Sequence, residues 1–357
     1  MPTREPIDVL LVSPGTTAGW RRVDSDFTGL LTDLGLSVAS ATTEFRIARH
    51  LRRMMALTDL AEAAAMRRAL GKALRRYRPR AIIYSSTQAA MLQPKRRLGG
   101  AGIRFDALTT VNRPGVLNFL QHLLEKRALR RVALLLPSGM SPASRVPPAL
   151  LAHTRVVALP LSIDLPAETA SQRQPIVLCY AGNPDKKGLD LIGRAWALAN
   201  TGERRLVVTG IDPAAGSGFL AARSVPEPGR LEWAGAVAPG EFRTLASEAE
   251  VFLSASRFED YGLAQLEALA DGALLVTTPS PGPYEALAIA RELEPRLVAS
   301  NASPQAIARV LDAAFESSQP ERAAYREHAR GLVMPYARAE LRSRVEREVL
   351  PVLLPGS

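Results

Sequence analysis

Residues 251–277 constrain the fold more than any other part of the chain. An apolar run at 251–253 indicates a buried strand, a polar loop with carboxylates follows, and the stretch from Leu266 is typical of a helix. Gly272 then precedes a second apolar run at 273–277, which indicates another buried strand. Short strands that alternate with helices predict a parallel sheet covered by helices.

Two glutamates, Glu259 and Glu267, lie eight residues apart in this segment. Glu259 belongs to the loop after the first predicted strand, and Glu267 belongs to the first turns of the helix. In open α/β sheets such loops line the ligand crevice, and helix N-termini offer free N–H groups to anions. Two carboxylates on either side of a diphosphate could bind two polyol groups. A nucleotide sugar has that layout, with ribose, diphosphate and sugar hydroxyls in sequence.

The spacing of the two glutamates resembles the Glu-x7-Glu signature of the family-4 retaining glycosyltransferases, which have the GT-B fold. Further segments resemble that family in the same order across residues 156–290. These segments are 160–164, 176–182, 187–192, 205–210, 231–237 and 281–285. The resemblance implies an α/β protein with two Rossmann-like domains that face each other across a cleft.

Pattern and resemblance together predict three parts of the chain. They are an N-terminal acceptor-side domain at 1–165, a nucleotide-sugar domain at 166–335, and a C-terminal helix at 336–357 that returns to the first domain. The polar stretch at 165–175 contains two prolines and has no apolar period, so we expect it to be the linker.

Within the first domain, alternating apolar and amphipathic stretches predict strands and helices. We expect strands at 7–13, 36–39, 81–85, 107–111, 132–136 and 155–159. Asp59 and Glu62 have the spacing of a capping box, which predicts a helix from Asp59 to about Tyr77, ended by Pro79.

The resemblance also implies retaining, metal-independent transfer of a sugar from a nucleotide diphosphate donor to an acceptor hydroxyl. Lys187 would stabilise the leaving diphosphate, Glu259 the donor sugar, and Glu267 would accept the ribose hydroxyls. Other residues expected to contact the donor are Gly15, Gly182, Asn183, Lys186, Val237, Gly262, Leu263 and Gly282. We expect no cofactor besides the donor and no metal, since the four histidines lack ligand spacing.

Each of the three charged residues assigned to the donor could instead have no role in binding. Glu259 could be a loop carboxylate paired with Arg257, Glu267 a solvated helix residue, and Lys187 a solvated lysine at a helix start. The apolar neighbours of Glu267 make an unpartnered carboxylate costly there. The helix dipole disfavours a cation at a helix start, so Lys187 indicates an anion nearby.

Asn183 departs from the family, which commonly has arginine at this position. Asparagine can donate a hydrogen bond but has no charge, whereas arginine offers a rigid cationic fork. Lys186 or an arginine of the other domain could compensate. The departure leaves an alternative open, a non-catalytic GT-B protein that binds a nucleotide or a glycan.

The formal net charge of +10 is concentrated in the first half of the chain. Residues 1–165 contain 25 Lys and Arg against 11 Asp and Glu, whereas residues 166–357 contain 20 against 24. A basic half suggests an anionic membrane surface or a nucleic acid. No nucleic-acid module is visible and aromatic residues are only 5% of the chain, which disfavours a nucleic acid.

Cys179 is the single cysteine and lies in an apolar strand, which excludes disulfides and indicates a reducing compartment. The sequence has no secretory leader and no run of 18 apolar residues. We therefore expect a cytoplasmic protein that associates peripherally with the inner face of the membrane. The basic residues between Arg46 and Arg80 could lie on the anionic leaflet or form a solvated helix face. The resemblance implies a glycan or lipid-linked acceptor, and a soluble enzyme with a soluble acceptor is the alternative.

The glycine-rich stretch at 210–218 invites a dinucleotide-binding interpretation, which we reject on two grounds. Its spacing is not Gly-x-Gly-x-x-Gly. In addition, Pro213 is expected to interrupt the helix start that such a loop requires.

Overall fold

The computed structural model describes residues 4–15, 18–43, 55–93, 100–112, 115, 118–167, 173–259, 261–282 and 284–356. The chain divides into two compact units. Unit 1 comprises residues 1–162 and 338–357, and unit 2 comprises residues 163–337. Each unit contains one parallel sheet with helices on it, so the chain has the α/β class that the sequence predicts.

Unit 1 contains a six-stranded sheet of order β2-β1-β3-β4-β5-β6. Its strands are β1 (Glu5–Ser13), β2 (Val38–Thr42), β3 (Tyr77–Tyr84), β4 (Gly100–Phe105), β5 (Leu134–Pro137) and β6 (Arg155–Val156). Its helices up to residue 162 are α1 (Ala18–Asp33), α2 (Met55–Arg76), α3 (Thr87–Met91), α4 (Thr109–Asn112), α5 (Phe119–Leu129), α6 (Met140–Ser144) and α7 (Pro148–Leu151). Side chains of β1 alternate between two cores, Leu10 and Val12 in one and Val9 and Leu11 in the other. Both faces of this sheet are therefore buried.

Unit 2 contains a five-stranded parallel sheet of order β11-β10-β7-β8-β9. Its strands are β7 (Gln174–Tyr180), β8 (Arg205–Thr209), β9 (Leu231–Gly235), β10 (Ala249–Ser254) and β11 (Leu274–Thr277). Its helices are α8 (Leu189–Trp196), α9 (Pro213–Ala222), α10 (Pro239–Glu248), α11 (Leu263–Asp271), α12 (Glu285–Leu293), α13 (Pro304–Glu316) and α14 (Gln319–Val333), with 3-10 turns at Pro295–Leu297 and Met334–Tyr336. The chain adds β8 and β9 on one side of β7 and then β10 and β11 on the other. The carboxyl ends of β7 and β10 thus flank a topological switch point, where open α/β sheets bind ligands.

The C-terminal segment supplies part of the core of unit 1. It consists of α15 (Arg338–Arg344), a π-helical stretch (Val345–Val349) and α16 (Leu350–Leu353). Leu341, Val345, Val349 and Leu353 recur every four residues and are buried in one cluster with Val9 of β1. They form the apolar stripe by which this segment packs on the sheet.

The strand predicted at 107–111 is wrong, because the strand is β4 at Gly100–Phe105 and α4 occupies Thr109–Asn112. The sequence pattern did not indicate β4 because this strand contains two glycines, and glycine usually weakens a strand. Here they permit close packing. A Cβ on Gly100 would collide with the carbonyl oxygen of Leu353, and a Cβ on Gly102 would lie 2.8 Å from Cδ1 of Ile83.

The capping box predicted at Asp59 and Glu62 is also wrong, because α2 begins at Met55. Asp59 instead lies inside the helix and accepts a hydrogen bond of 3.2 Å from Gln121. Pro79 does not end the helix. The helix ends at Arg76, and Pro79 lies within β3 opposite Ile7 of β1.

Pro213 is compatible with a helix start, contrary to the sequence argument. It is the first residue of α9, where proline is favoured because its missing N–H has no partner in a helix anyway. The side chain of Asp212 caps this helix by accepting the N–H of Ala215 at 3.1 Å. Only the glycine spacing therefore argues against a dinucleotide loop at 210–218.

Of the predicted linker at 165–175, residues 168–172 lie outside the described residues, and β7 begins at Gln174.

Candidate functional site

Two oppositely charged side chains meet at the switch point of unit 2. Nζ of Lys187, in the loop after β7, lies 2.6 Å from Oε2 of Glu259, in the loop after β10. Only 17% of the Lys187 side chain and 6% of the Glu259 side chain are exposed. The pair is largely withdrawn from water, so Lys187 is not a solvated lysine.

Three donors converge on one carboxylate oxygen of Glu259. Besides Lys187, the hydroxyl of Ser256 donates to Oε2 at 2.9 Å and the amide of Gln265 donates at 3.1 Å. Burial alone would raise the pKa of Glu259. The charge of Lys187 and the three hydrogen bonds outweigh burial and hold this pKa below its ordinary value, so Glu259 is ionised at neutral pH.

Arg257 fixes the spacing of the two loops. Its guanidinium donates to both carboxylate oxygens of Asp190 on α8, at 2.9 and 2.6 Å, and to the carbonyl oxygen of Asp185 at 2.7 Å. Its backbone N–H also donates to the carbonyl oxygen of Lys186 at 2.8 Å. Arg257 therefore pairs with Asp190, and the alternative in which it pairs with Glu259 is wrong.

Two glycines allow backbone segments to approach each other beside the ion pair. Gly188 has φ +66°, and a Cβ there would collide with the carbonyl oxygen of Ala255. Gly282 has φ +117°, and a Cβ there would collide with the carbonyl oxygen of Glu259. The N–H of Glu259 donates to the carbonyl oxygen of Pro281 at 3.0 Å. A side chain at Gly188 or Gly282 would thus disturb the positions of these loops.

Asn183 has a structural task in the turn that leads to Lys187. Its Oδ1 accepts the N–H of Lys186 at 3.1 Å, and its carbonyl oxygen accepts the N–H of Lys187 at 2.8 Å. Asparagine is favoured in such turns because its side-chain oxygen accepts backbone N–H groups, and arginine has no acceptor. Gly182 precedes it, and a Cβ there would collide with the ring of Tyr180.

Helix α11 begins directly beside the Glu259 loop. Gly262 is its N-cap residue, with φ +87°, and Leu263 is its first residue. The first N–H groups of a helix have no acceptor within the helix and can bind an anion. Asp260, which lies between Glu259 and this helix in sequence, is outside the described residues.

Glu267 lies farther along α11 and is 8% exposed, so it is not a solvated helix residue. Its negative charge acts on Arg243 of α10. Burial would lower the pKa of Arg243, but Asp271 and Glu267 raise it above its ordinary value.

The remaining predicted residues lie in other loops. Val237 follows β9 and packs partly buried on the core of unit 2. Lys186 lies beside Lys187, with its Nζ 5.6 Å from the ring centre of Phe258. Gly15 belongs to unit 1, follows β1, and has φ +59°. Thr16 and Thr17 lie outside the described residues.

Sequence reasoning missed the buried polar residues behind Glu259. Gln265 donates to Ser254 Oγ at 2.9 Å as well as to Glu259, and the hydroxyls of Tyr284 and Thr277 are 2.8 Å apart. Burial raises the pKa of Tyr284, so this phenol stays protonated. Gln265 could have been found, because it is a polar residue within the apolar start of the helix that bears Glu267.

Comparisons with known proteins agree with this geometry. Residues 163–332 match the profile of the family described as glycosyl transferases group 1. Unit 2 is a glycosyl transferases group 1 domain. The match confirms the resemblance at the level of the group, and the family-4 assignment stays a prediction. No curated protein sequence matches the chain.

Solved structures resemble the chain over nearly its whole length. Sucrose-phosphate synthase from Thermosynechococcus elongatus has a TM-score of 0.65 and 16% identity, with 97% of this chain and 99% of that chain covered. A glycosyltransferase from Rickettsia africae has a TM-score of 0.66 and 13% identity, with 99% and 100% covered. WaaG, a glycosyltransferase involved in lipopolysaccharide biosynthesis, has a TM-score of 0.62 and 15% identity, with 98% and 100% covered. These likenesses show the fold, which is GT-B with two Rossmann-like domains, one of them the group 1 domain.

Proposed function

We propose that the protein transfers a sugar from a nucleoside diphosphate sugar to a hydroxyl of a glycan or lipid-linked glycan, with retention of anomeric configuration. The observation that carries this proposal is the Lys187–Glu259 ion pair at the switch point of a glycosyl transferases group 1 domain. Such a position is where open α/β sheets bind nucleotides.

Lys187 is proposed to bind the diphosphate of the donor. A diphosphate carries more negative charge than the carboxylate of Glu259, so the donor competes for the Lys187 ammonium. The charge that develops on the leaving diphosphate would then be stabilised in a site withdrawn from water, where electrostatic interactions are strong. The free N–H groups at the start of α11 would add to this stabilisation.

Glu259 is proposed to bind the donor sugar. Its Oε2 accepts three hydrogen bonds, while within the described part of the chain no donor contacts Oε1. Oε1 can therefore accept a sugar hydroxyl, and the ionised carboxylate would stabilise positive charge at the anomeric carbon. In this mechanism the bond from the anomeric carbon to the diphosphate breaks as the acceptor oxygen attacks from the same face. The acceptor proton passes to the departing diphosphate, so no metal and no side-chain base are needed.

Glu267 is proposed to accept the two ribose hydroxyls of the donor. The substitution Glu267→Ala tests this role by calorimetry with the donor. Hydrogen bonds to a charged group contribute about 1.5–3 kcal/mol, so we expect the affinity to fall at least about tenfold. Glu292→Ala, an exposed glutamate on α12, is the matched control. An unchanged affinity in Glu267→Ala would remove Glu267 from the site.

A panel of nucleotide sugars tests the activity itself. Thermal shift identifies the donor, and mass spectrometry of the product identifies the transferred sugar. A protein that binds a donor but neither transfers nor hydrolyses it would be the non-catalytic alternative. NMR of the product reports its anomeric configuration, and an inverted product would overturn the retaining mechanism.

We further propose a cytoplasmic location with reversible binding to the anionic face of the membrane. On α5 of unit 1, Phe119, Leu120 and Leu123 are 68%, 55% and 51% exposed, and Lys126 and Arg127 follow on the same helix. Exposed apolar and basic side chains on one helix favour an anionic leaflet, to which each cation adds about 1 kcal/mol. In the basic stretch between Arg46 and Arg80, residues 46–54 lie outside the described ranges. Among the described residues, no helix is long and apolar enough to cross a bilayer.

Sedimentation with liposomes tests the membrane proposal. We expect pelleting on anionic vesicles at low salt, less at high salt, and little on neutral vesicles. The double substitution Leu120→Gln and Leu123→Gln should abolish pelleting. Leu198→Gln, at a leucine of unit 2 that is 54% exposed, should not. Equal, negligible pelleting of the unmodified protein on both lipids would leave a soluble enzyme with a soluble acceptor.

A further inference from the structure

A second charged pocket lies at the opposite edge of the unit 2 sheet, where β7, β8, β10 and β11 begin. Its volume is about 210 Å³, far above the ~10–15 Å³ that a single water requires. Its charged lining consists of four arginines and one glutamate: Arg173, Arg204, Arg322, Arg326 and Glu250. Positive charge therefore exceeds negative charge in this pocket.

Two of the arginines share the single carboxylate. Arg204 donates to both oxygens of Glu250, at 2.8 and 3.2 Å. Arg322 also donates to Glu250 and to the carbonyl oxygens of Ser317 and Phe315, at 2.8 and 3.2 Å. The contacts of Arg322 with these carbonyl oxygens cap the C-terminal end of α13. Arg204 and Arg322 therefore have structural roles. Glu250 already pairs with two cations and has no capacity to neutralise a third one.

The other two arginines are not neutralised in this way. Arg173 donates to the carbonyl oxygens of Ala246 and Ala249, at 3.0 and 2.9 Å, and to that of Asp271, but its buried Nε has no hydrogen-bond partner in the described structure. Arg326 has neither an ion pair nor a hydrogen bond among the residues described. Burial and then the charge of Arg326 lower the pKa of Arg173 to about 10, although Asp271 opposes the shift. Arg173 and Arg326 are thus two cations that repel each other, and among the described residues neither forms an ion pair with Glu250.

We propose that this pocket binds a small phosphate-bearing anion, with the guanidinium groups of Arg326 and Arg173 as its principal ligands. The planar guanidinium matches the geometry of phosphate oxygens, and an anion between the two arginines would remove their repulsion. Gln319, the first residue of the fifteen-residue helix α14, also lines the pocket. The positive end of that helix dipole adds to the attraction.

Inorganic phosphate is the probe, titrated by calorimetry into the full-length protein at constant ionic strength, with chloride as the reference anion. We expect saturable binding in the unmodified protein and at least about tenfold weaker binding in Arg326→Gln, because a charged hydrogen-bond donor is lost. Arg326→Gln should fold normally, since it removes repulsion and no described contact. Arg309→Gln, an exposed arginine on α13, is the matched control and should bind like the unmodified protein. A parallel titration with glycerol phosphate shows whether free phosphate or a phosphate monoester binds more tightly.

Lys187→Ala distinguishes this pocket from the proposed donor site. Phosphate binding that is lost in Arg326→Gln and kept in Lys187→Ala supports the pocket, whether or not the protein transfers sugar. Phosphate binding that persists in Arg326→Gln, or an effect no larger than that of chloride, would overturn the proposal.

Discussion

Lys187 and Glu259 are 72 residues apart in sequence, and their side chains form an ion pair of 2.6 Å between two loops of one domain. The pair has two consequences. It holds the β7–α8 and β10–α11 loops together. It also places the cation and the anion that we propose to bind the donor in a site withdrawn from water. Stability and activity can therefore be separated by substitutions at these two positions.

Lys187→Met should destabilise unit 2 and abolish transfer. Glu259 would be left buried and ionised without its cation, and breaking such a pair costs about 3–5 kcal/mol. The double substitution Lys187→Met and Glu259→Gln should recover most of that loss, because no unpaired charge remains, but it should not recover activity. Urea unfolding gives the stability, and a transfer assay with the identified donor gives the activity.

Lys186→Met, at the neighbouring lysine, is the matched control for the unfolding measurement and should change the free energy of unfolding by less than about 1 kcal/mol. A double variant no more stable than Lys187→Met would contradict the destabilising role of the unpaired carboxylate. A double variant that transfers sugar at the normal rate would exclude Lys187 and Glu259 from the mechanism.

Gln265→Glu should move the acid limb of the pH–rate profile to higher pH. The new carboxylate would lie beside Oε2 of Glu259, where the amide of Gln265 now donates at 3.1 Å. A neighbouring negative charge disfavours ionisation, so the pKa of Glu259 rises from its lowered value. Gln305→Glu, at an exposed position of α13, adds the same charge elsewhere and should leave the profile unchanged. Superimposable profiles for the two variants would show that ionised Glu259 is not required.

Asp190→Asn should lower the free energy of unfolding of unit 2 at neutral pH but not in acid. Burial raises the pKa of Asp190, but the hydrogen bonds and charge of Arg257 lower it below the ordinary value of 3.8. A carboxylate with a lowered folded-state pKa stabilises the protein above its unfolded-state pKa, and that contribution is lost as the pH falls through the folded-state pKa. We expect Asp190→Asn to cost about 2 kcal/mol at pH 7, as for a hydrogen bond to a charged group. The difference from the unmodified protein should shrink below pH 3.8. A difference that is constant between neutral and acid pH would contradict this assignment.

Gly282→Ala should impair both folding and activity. The residue has φ +117°, and the added Cβ would collide with the carbonyl oxygen of Glu259, so the loop must move. Overpacking of this kind costs about 1–3 kcal/mol, and positive φ adds strain. Gly218→Ala is the control, because this glycine lies within α9 and its Cβ would meet no atom within 4 Å. Thermal unfolding and the transfer assay on both variants test the prediction. Equal behaviour of the two variants would mean that Gly282 does not constrain Glu259.

Part of this molecule could be predicted from sequence because its signals are local. The apolar runs at 251–253 and 273–277 define β10 and β11 on either side of the helix that begins at Leu263. The order of glycines and charged residues in unit 2 also predicted the group of glycosyltransferases to which this domain belongs.

The missed strand and the missed site contacts have one physical cause, which is packing between residues distant in sequence. Gly100 and Gly102 disfavour a strand locally, yet β4 forms because residues distant in sequence pack closely on them, Leu353 on Gly100 and Ile83 on Gly102. The same holds for Gln265, whose role as a donor to Glu259 depends on a loop geometry that no local period specifies. The pairing of Arg257 with Asp190 likewise depends on where α8 begins.

The burial of Leu341, Val345, Val349 and Leu353 against Val9 sets an order for the synthesis of the chain. Unit 2 is one continuous segment and can acquire all of its core before residues 338–357 are synthesised. Unit 1 has β1 before unit 2 in the sequence and its last core helix after it, so on the ribosome one face of its sheet stays uncovered until residues 338–353 emerge. Apolar surface exposed during synthesis favours aggregation and chaperone capture. Residues 163–337 expressed alone should therefore be recovered in good yield, whereas residues 1–162 alone should precipitate unless the segment 338–357 is supplied.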